Sequence, residues 1–252
     1  MKAHRLPKPV GDINVLSLFD GMSCGQIALN RAGIKVNKYY ASEIDKPAIT
    51  VTQHNYPNTI QLGDVTKWRE WDIDWSNIDL LIGGSPCQGF SFAGKQLNFD
   101  DHRSKLFFVF VDILNHIKQH NPNVKFLLEN VRMKQEYENT ITDTLGVYPV
   151  FINSSLVSAA NRPRLYWVNW KVTPPKDKGI TFDDIAEKCD AYLPSMYIDK
   201  VLKWNAHRNP VIHAVKLGHK EKLPTLLARG HNQSHREMIL INNGGISLYD
   251  RY

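Results

Sequence analysis

The stretch that decides the fold reads Ile78-Asp79-Leu80-Leu81-Ile82-Gly83-Gly84-Ser85-Pro86-Cys87-Gln88-Gly89-Phe90-Ser91. It begins with a mostly apolar run closed by two glycines, which predicts a short buried strand that ends in a loop. Ligands bind at the carboxyl edge of the strands in open α/β sheets, so this loop presents Cys87 at an expected ligand site. A thiol there can act as a nucleophile if its pKa is lowered, although a free cysteine is more often a small buried hydrophobe.

The composition is that of an ordinary globular chain, large enough for one domain or for one domain plus a smaller one. Of its 252 residues, 42% are hydrophobic and 22% are charged, and the formal net charge of +6 is weak support for a nucleic-acid partner. The three cysteines lie far apart and form neither a disulfide framework nor a zinc-binding pair. This cysteine pattern predicts a reducing cytoplasmic setting. Because no apolar run reaches membrane length, we also expect no membrane partner.

A strand–turn–helix unit opens the α/β pattern. The sequence predicts a strand over Val15–Phe19, a tight turn over Asp20–Gly25 and a helix over Gln26–Ala32. Glycines in such a turn let backbone N–H groups face a ligand at the helix N-terminus. The spacing is not GxGxxG, so a dinucleotide is not implied, and an ordinary strand–helix connection is an equal alternative.

Acidic residues follow other predicted strands. Glu43 ends the second strand, where such folds bind the two ribose hydroxyls, and Asp64 lies near the end of a strand predicted over 60–65. The apolar run Val124–Leu128 delivers Glu129 to the same edge, where an unpaired acid would be costly. Each acid could instead be an ordinary solvated, turn-forming or capping carboxylate.

Five blocks, taken in chain order, resemble motifs of the C5-cytosine DNA methyltransferases. They are Phe19–Gly25, Glu43, Asp64, Ser85–Ser91 together with Glu129–Val131, and Arg162–Arg164. Two arginines one residue apart would ordinarily be a surface charge pair, but here they match the family's Gln-x-Arg-x-Arg motif except at Ala160. The resemblance implies an α/β, Rossmann-like S-adenosylmethionine-dependent methyltransferase fold. Its catalytic domain would span residues 1–170, and residues 171–252 would be a small, irregular and partial target-recognition region for DNA.

The resemblance also implies a covalent mechanism. Cys87 would add to C6 of a flipped-out cytosine, which makes C5 nucleophilic enough to accept a methyl group. Glu129 would stabilise the ring at N3, and Arg164 would hold O2 with Arg162 supporting it or reaching phosphate. The loop over residues 89–103 would close over the base.

The implied cofactor is S-adenosylmethionine, with S-adenosylhomocysteine as the product and no metal. The resemblance assigns it to Phe19, Asp20, Gly21, Gly25, Glu43, Ile44, Asp64, Val65 and Pro86. Phe19 and Ile44 would stack on the two faces of the adenine. Glu43 would bind the ribose and Asp64 the adenine amine.

The expected partners are double-stranded DNA and a further piece of polypeptide. The family's last two motifs have no counterpart here, so they would come from a second polypeptide or from the rest of a longer parent chain, in a bacterial or phage-infected cell. A metal site at His231 and His235 has helical spacing, but Gly230 and Asn232 argue against it.

Three other functions are open to this sequence. An RNA cytosine methyltransferase acting on transfer RNA would use the same catalytic blocks, although the substantial region after Trp170 favours DNA. A non-catalytic DNA-binding or regulatory relative would have lost the cysteine or the glutamate. A redox or structural protein with an incidental thiol would leave Glu129 and Arg164 unexplained.

Overall fold

The computed structural model describes residues 11–86, 102–181, 184–185, 223–224, 239–242 and 245–248. The strands are β1 Ile13–Leu18, β2 Val36–Ser42, β3 Ile60–Gln61, β4 Leu80–Gly83, β5 Lys125–Asn130, β6 Pro149–Asn153, β7 Ala160–Asn161, β8 Pro163–Val168, β9 Leu223–Pro224, β10 Ile239–Asn242 and β11 Gly245–Leu248. The α-helices are α1 Cys24–Arg31, α2 Lys46–Asn55, α3 His102–His120 and α4 Gln135–Leu145. Short 3-10 helices span Val65–Glu70, Trp75–Asn77 and Ser154–Leu156.

The central sheet of the described chain has seven strands in the order β3-β2-β1-β4-β5-β8-β6. Strands β3, β2, β1, β4 and β5 pair in parallel with their neighbours, while β8 runs antiparallel to β5. The chain therefore builds the sheet outward in one direction from β1 to β3 and in the other from β4 to β5. The carboxyl ends of the parallel strands share one edge, and ligands of such sheets bind at that edge where the strand order reverses, here between β1 and β4. The predicted α/β class is confirmed.

One face of the sheet carries most of the core. Leu16, Leu81 and Phe126 point to this face because side chains alternate along a strand, and none is more than 1% exposed. Helix α3 lies against them and contributes the fully buried Phe107 and Phe110. Each such side chain stabilises the fold by roughly 1.5–3 kcal/mol relative to an exposed one. This packing fixes the sheet, and with it the edge where the strands end.

The opposite face buries a smaller apolar cluster. Val15, Tyr39 and Ala41 lie there with Leu29 of α1. Ile82 of β4 packs against the cluster but is only partly buried. Helix α1 therefore covers β1 and β2 more completely than it covers β4.

The chain divides into two compact units. The first comprises residues 1–152 and 164–174 and holds the five parallel strands. The second comprises residues 153–163 and 175–252, where β7 pairs in parallel with β9 and β10 pairs antiparallel with β11. The predicted domain limit at residue 170 stays a prediction.

Most elements lie close to their predicted limits, but the third strand does not. The prediction of a strand over 60–65 is wrong, because β3 stops at Gln61 and a 3-10 helix begins at Val65. Gly63 has a φ of 73°, which a continuing strand does not allow. The Asp64 side chain then caps the 3-10 helix, since its Oδ1 accepts hydrogen bonds from the backbone N and the hydroxyl of Thr66 at 2.9 and 2.8 Å. Such local side-chain bonds offer the backbone an alternative to a strand ladder. Strand β5 is longer than predicted and includes Glu129 and Asn130.

Candidate active site at the carboxyl edge of the sheet

An ion pair between Glu129 and Arg164 forms the centre of the site. The antiparallel register of β5 and β8 places Leu165 opposite Asn130, which brings the neighbouring Arg164 to the end of β5. Arg164 Nε lies 2.6 Å from Glu129 Oε1, and the two side chains are 11% and 30% exposed. A charge as buried as that of Arg164 needs a partner, and the carboxylate supplies it. Two of the four predicted catalytic residues, Glu129 and Arg164, are therefore brought together.

Gly84 lets the segment that precedes Cys87 approach this ion pair. A Cβ atom built on Gly84 would lie 3.0 Å from Glu129 Oε2 and 3.7 Å from the Glu129 carbonyl oxygen. A larger residue would therefore press on the carboxylate, and glycine is required by this close approach.

Asn130 anchors the same segment. Its Nδ2 donates to both the carbonyl oxygen and the hydroxyl of Ser85, each at 3.3 Å, and its Oδ1 accepts from Val131 N at 2.8 Å. Ser85 and Asn130 are both buried. The half-buried Pro86 follows, and Cys87 lies outside the described residues. The end of β4 is therefore fixed against β5 immediately before the predicted nucleophile in the sequence.

Arg162 differs from Arg164 in its surroundings. Its side chain is exposed, and its backbone is held by Asn153, whose Oδ1 accepts from Arg162 N at 2.9 Å. Ser154 adds two bonds: its N donates to the Arg162 carbonyl at 3.2 Å and its hydroxyl to the Ala160 carbonyl at 2.7 Å. These side chains support the backbone at the position where Ala160 departs from the motif. Sequence reasoning missed them, although an Asn at the end of a strand followed by Ser is a known turn signal.

The loop after β1 adopts an unusual backbone. Phe19 and Ser23 have φ values of 57° and 58°, and Gly21 has 58°. Residues with a side chain avoid this left-handed region, and strain of this kind concentrates at ligand sites. Helix α1 begins directly after this loop, at Cys24.

A buried polar network holds this loop. Asp20 Oδ1 accepts a hydrogen bond from the Tyr39 hydroxyl at 2.7 Å, and Oδ2 accepts one from the Ser23 hydroxyl. Burial raises the pKa of Asp20, while hydrogen bonds from Ser17, Ser23 and Tyr39 oppose that rise. Burial, followed by the nearby Asp20 charge, raises the pKa of Tyr39, so this hydroxyl stays protonated and donates. Tyr39 was not among the predicted site residues, because the sequence marks it only as an aromatic in a strand.

Glu43 serves the same loop from the end of β2. Its Oε2 accepts from Gly21 N at 2.8 Å, and its Oε1 accepts from Ile44 N at 2.8 Å and Asp45 N at 2.9 Å. A carboxylate has roughly four acceptor positions, so the contacts leave Oε2 able to accept one further bond. Glu43 can therefore bind a ligand hydroxyl while it shapes the loop.

The other predicted cofactor residues lie at the ends of neighbouring strands. Backbone contacts join these ends: Asp20 N donates to Ser42 O at 3.2 Å, and the Ser42 hydroxyl donates to Gly63 O at 2.7 Å. Ile44 is 72% exposed, so its apolar side chain is accessible to a ligand. The remaining positions are the half-buried Phe19, the exposed Asp64 and the buried Val65. Gly25 is enclosed by protein, since a Cβ there would lie 2.5 Å from Ile82 Cδ1.

In the described part of the chain, no group of three or more His, Cys, Asp and Glu side chains is arranged to hold a metal ion. No helix of these residues combines the length and apolarity needed to cross a membrane. The histidines at 231 and 235 lie outside the described residues.

The strand order, with its reversal between β1 and β4, and the acid-lined loop after β1 define a Rossmann-like S-adenosylmethionine-dependent methyltransferase fold. Residues 13–155 match the family model of the C-5 cytosine-specific DNA methylases. The chain belongs to this family.

Individual relatives of known type agree with this family assignment. The chain is 35% identical to Type II methyltransferase M.NlaIV of Neisseria lactamica, over 67% of this chain and 38% of the relative. It is 38% identical to the orphan methyltransferase M.SPRI of Bacillus phage SPR, over 78% of this chain and 48% of the relative. The chain therefore spans about half or less of these relatives. A crystal structure of a DNMT2 mutant from Spodoptera frugiperda has the same fold, with a TM-score of 0.52 and 24% identity over 71% of this chain and 61% of that one.

Proposed function

We propose that this chain carries the catalytic part of an enzyme that transfers a methyl group from S-adenosylmethionine to C5 of cytosine in double-stranded DNA. The observation that supports it most is the Glu129–Arg164 pair, 2.6 Å apart, at the strand edge that leads into Cys87. The family is described as C-5 cytosine-specific DNA methylase and the relative from Neisseria lactamica is named a Type II methyltransferase, and this description motivates the choice of DNA.

The chemistry uses each of these residues once. The Cys87 thiolate adds to C6, and the ring electrons move to C5, which becomes an enamine carbon. Glu129 shares a proton with N3 and Arg164 holds O2, so the charge that develops on the ring is stabilised by groups already in position. Once C5 is methylated, loss of its proton expels Cys87 and restores the aromatic ring. The base has to leave the duplex for this, since C6 is inaccessible inside it.

S-adenosylmethionine supplies the electrophilic methyl group. The residues at the ends of β1, β2 and β3 fit it, because Glu43 retains an acceptor position and Ile44 is exposed beside it. Phe19 and Ile44 would hold the adenine, Glu43 the ribose and Asp64 the adenine amine. Asp20 and Gly21 shape the loop that faces the rest of the cofactor.

A further polypeptide segment completes this site. Ile82 of β4 is only partly buried, and Met22 in the loop after β1 and Ile27 in α1 are 43% and 38% exposed. Apolar surface beside a ligand crevice is a preferred place for another segment to pack. We assign that segment to a second polypeptide or to a longer parent chain.

The test is a methylation assay with tritiated S-adenosylmethionine on the 252-residue chain, alone and with a polypeptide that carries the family's last motifs. Duplex DNA and transfer RNA are offered in separate reactions. Cys87→Ser should abolish transfer and leave cofactor binding unchanged. DNA with 5-fluorocytosine should form a stable adduct with the wild type only, because fluorine cannot leave as the proton does. Transfer by Cys87→Ser at the wild-type rate would overturn the mechanism, and methylation of RNA alone would overturn the substrate.

A further inference from the structure

The polar network beneath the loop after β1 gives a role to a residue outside the motifs. We propose that Tyr39 is a positioning residue: its hydroxyl fixes the Asp20 carboxylate, and through that carboxylate it fixes the strained loop that binds S-adenosylmethionine. This inference rests on the proposed function, because it concerns the same cofactor site.

One carboxylate joins three separate parts of the structure. Tyr39 lies on β2, is 4% exposed, and places its hydroxyl 2.7 Å from Asp20 Oδ1. Ser23, at the far end of the loop, is fully buried and donates its hydroxyl to Asp20 Oδ2. Asp20 therefore ties the beginning of the loop to its end and ties both to β2.

The loop needs such a tie because its backbone is unfavourable. Phe19 and Ser23 both have positive φ, and a side chain makes that conformation sparsely populated unless neighbouring groups hold it. The hydroxyl of Tyr39 also limits the first turn of α1, since a Cβ on Gly25 would lie 2.7 Å from it. Tyr39 thus contacts the structure on both sides of the loop.

The charges in the network indicate an organising role. Burial raises the pKa of Asp20, and Glu43 at the end of β2 raises it further, while Ser17, Ser23 and Tyr39 lower it by hydrogen bonding. The Tyr39 hydroxyl stays protonated and donates to the carboxylate. A buried carboxylate beside a second acid is unfavourable for folding unless its hydrogen bonds are complete. Removing the hydroxyl alone should therefore loosen the loop without disturbing the core.

The experiment compares Tyr39→Phe with a matched control, Tyr40→Phe. Tyr40 is the next residue, is also buried, and faces the opposite core cluster. Calorimetry should show that Tyr39→Phe binds both S-adenosylmethionine and S-adenosylhomocysteine with roughly tenfold lower affinity. This is the loss expected for one hydrogen bond to a charged group. Tyr40→Phe should bind like the wild type, and thermal melting should report a folded protein in every case.

A double-mutant cycle separates positioning from simple packing. In the background of Asp20→Asn, the change Tyr39→Phe should lower ligand affinity by less than about twofold, because the hydroxyl acts through the Asp20 carboxylate. Ser23→Ala provides a second variant, and it should lower the affinity for both ligands as Tyr39→Phe does.

Each contrary outcome has its own meaning. If the wild-type chain binds neither ligand, with or without the completing polypeptide, the proposed function fails and this inference fails with it. If it binds and Tyr39→Phe binds equally well, only the inference fails. Additive losses in the cycle would overturn the action through Asp20. A loss of affinity for S-adenosylmethionine alone would overturn the positioning role, since the Asp20 carboxylate would then be recognising the sulfonium charge directly.

Discussion

The two ends of the sheet are built in different ways. At the carboxyl edge, Glu129 and Arg164 form a partly buried ion pair at 2.6 Å. Near the amino end of β4, the 3-10 helices and α3 bring together Trp68, Trp75 and His116, with ring centroids 4.8–5.7 Å apart. The aromatic cluster is held together by ring packing, whereas the carboxyl edge is held together by an ion pair and hydrogen bonds and includes a strained loop. The aromatic cluster serves stability, and under the proposed function the carboxyl edge positions reactive groups.

Replacing one arginine at each end tests this difference and should give the largest effect. Arg164→Ala should lower methyl transfer about 10²–10³-fold, because it removes a charged donor from the site and leaves Glu129 without its cation. Arg69→Ala is the matched control: Arg69 lies 3.8 Å from Asp112, and the side chains are 69% and 56% exposed. It should leave transfer unchanged and cost about 0–1 kcal/mol of stability.

The assay is single-turnover methylation, with urea unfolding measured on the same samples. Equal losses of activity in the two variants would remove the distinction between the ends. If Arg164→Ala lowered stability but left methyl transfer unchanged, the ion pair would have a structural role and no role in catalysis.

Removing the acid at the end of β2 should give an intermediate effect. Glu43→Ala should weaken S-adenosylmethionine binding by about 1–3 kcal/mol, because the carboxylate both accepts from Gly21 N and retains a position for a ligand hydroxyl. Calorimetry measures the loss directly. Asp45→Ala serves as the control, since Asp45 caps α2 through Ala48 N and should affect the helix but not the cofactor. An unchanged affinity for Glu43→Ala would place Glu43 outside the cofactor site.

The smallest effect should appear in the pH dependence of the aromatic end. Burial, followed by the charges of His120 and Arg69, lowers the pKa of His116 from its ordinary 6.5. The unfolded chain therefore takes up this proton more readily than the folded one. The stability contributed by neutral His116 is complete above about pH 6.5, the pKa in the unfolded chain. It is lost as the pH falls through the lower pKa of the folded chain.

Urea unfolding between pH 5 and pH 8 should show this loss of stability. His116→Phe should flatten the curve in that window, while His54→Gln, at an exposed position on α2, should leave it unchanged. A curve for His116→Phe that matches the wild type would exclude His116 as its source.

Sequence patterns located the groups that follow buried strands and failed where side chains redirect the backbone. Glu129 and Glu43 were predictable because each follows an apolar run, and polar groups there meet at one edge. The short β3 was not predictable, since the positive φ of Gly63 and the local bonds between Asp64 and Thr66 start a 3-10 helix where the apolar pattern suggests a longer strand. Tyr39 was missed because a tyrosine in a strand is ordinarily packing, and only the fold brings its hydroxyl to Asp20.

The antiparallel position of β8 also has a consequence for how the protein is made. Arg164 is synthesised well after Glu129, and β8 is further held by a buried hydrogen bond from Trp167 Nε1 to Thr142 Oγ1 of α4 at 3.0 Å. The parallel strands up to β5 can pair earlier, as the chain emerges N-terminus first. The ion pair can then form only after these strands, so we expect a nascent chain to acquire its parallel scaffold before this pair.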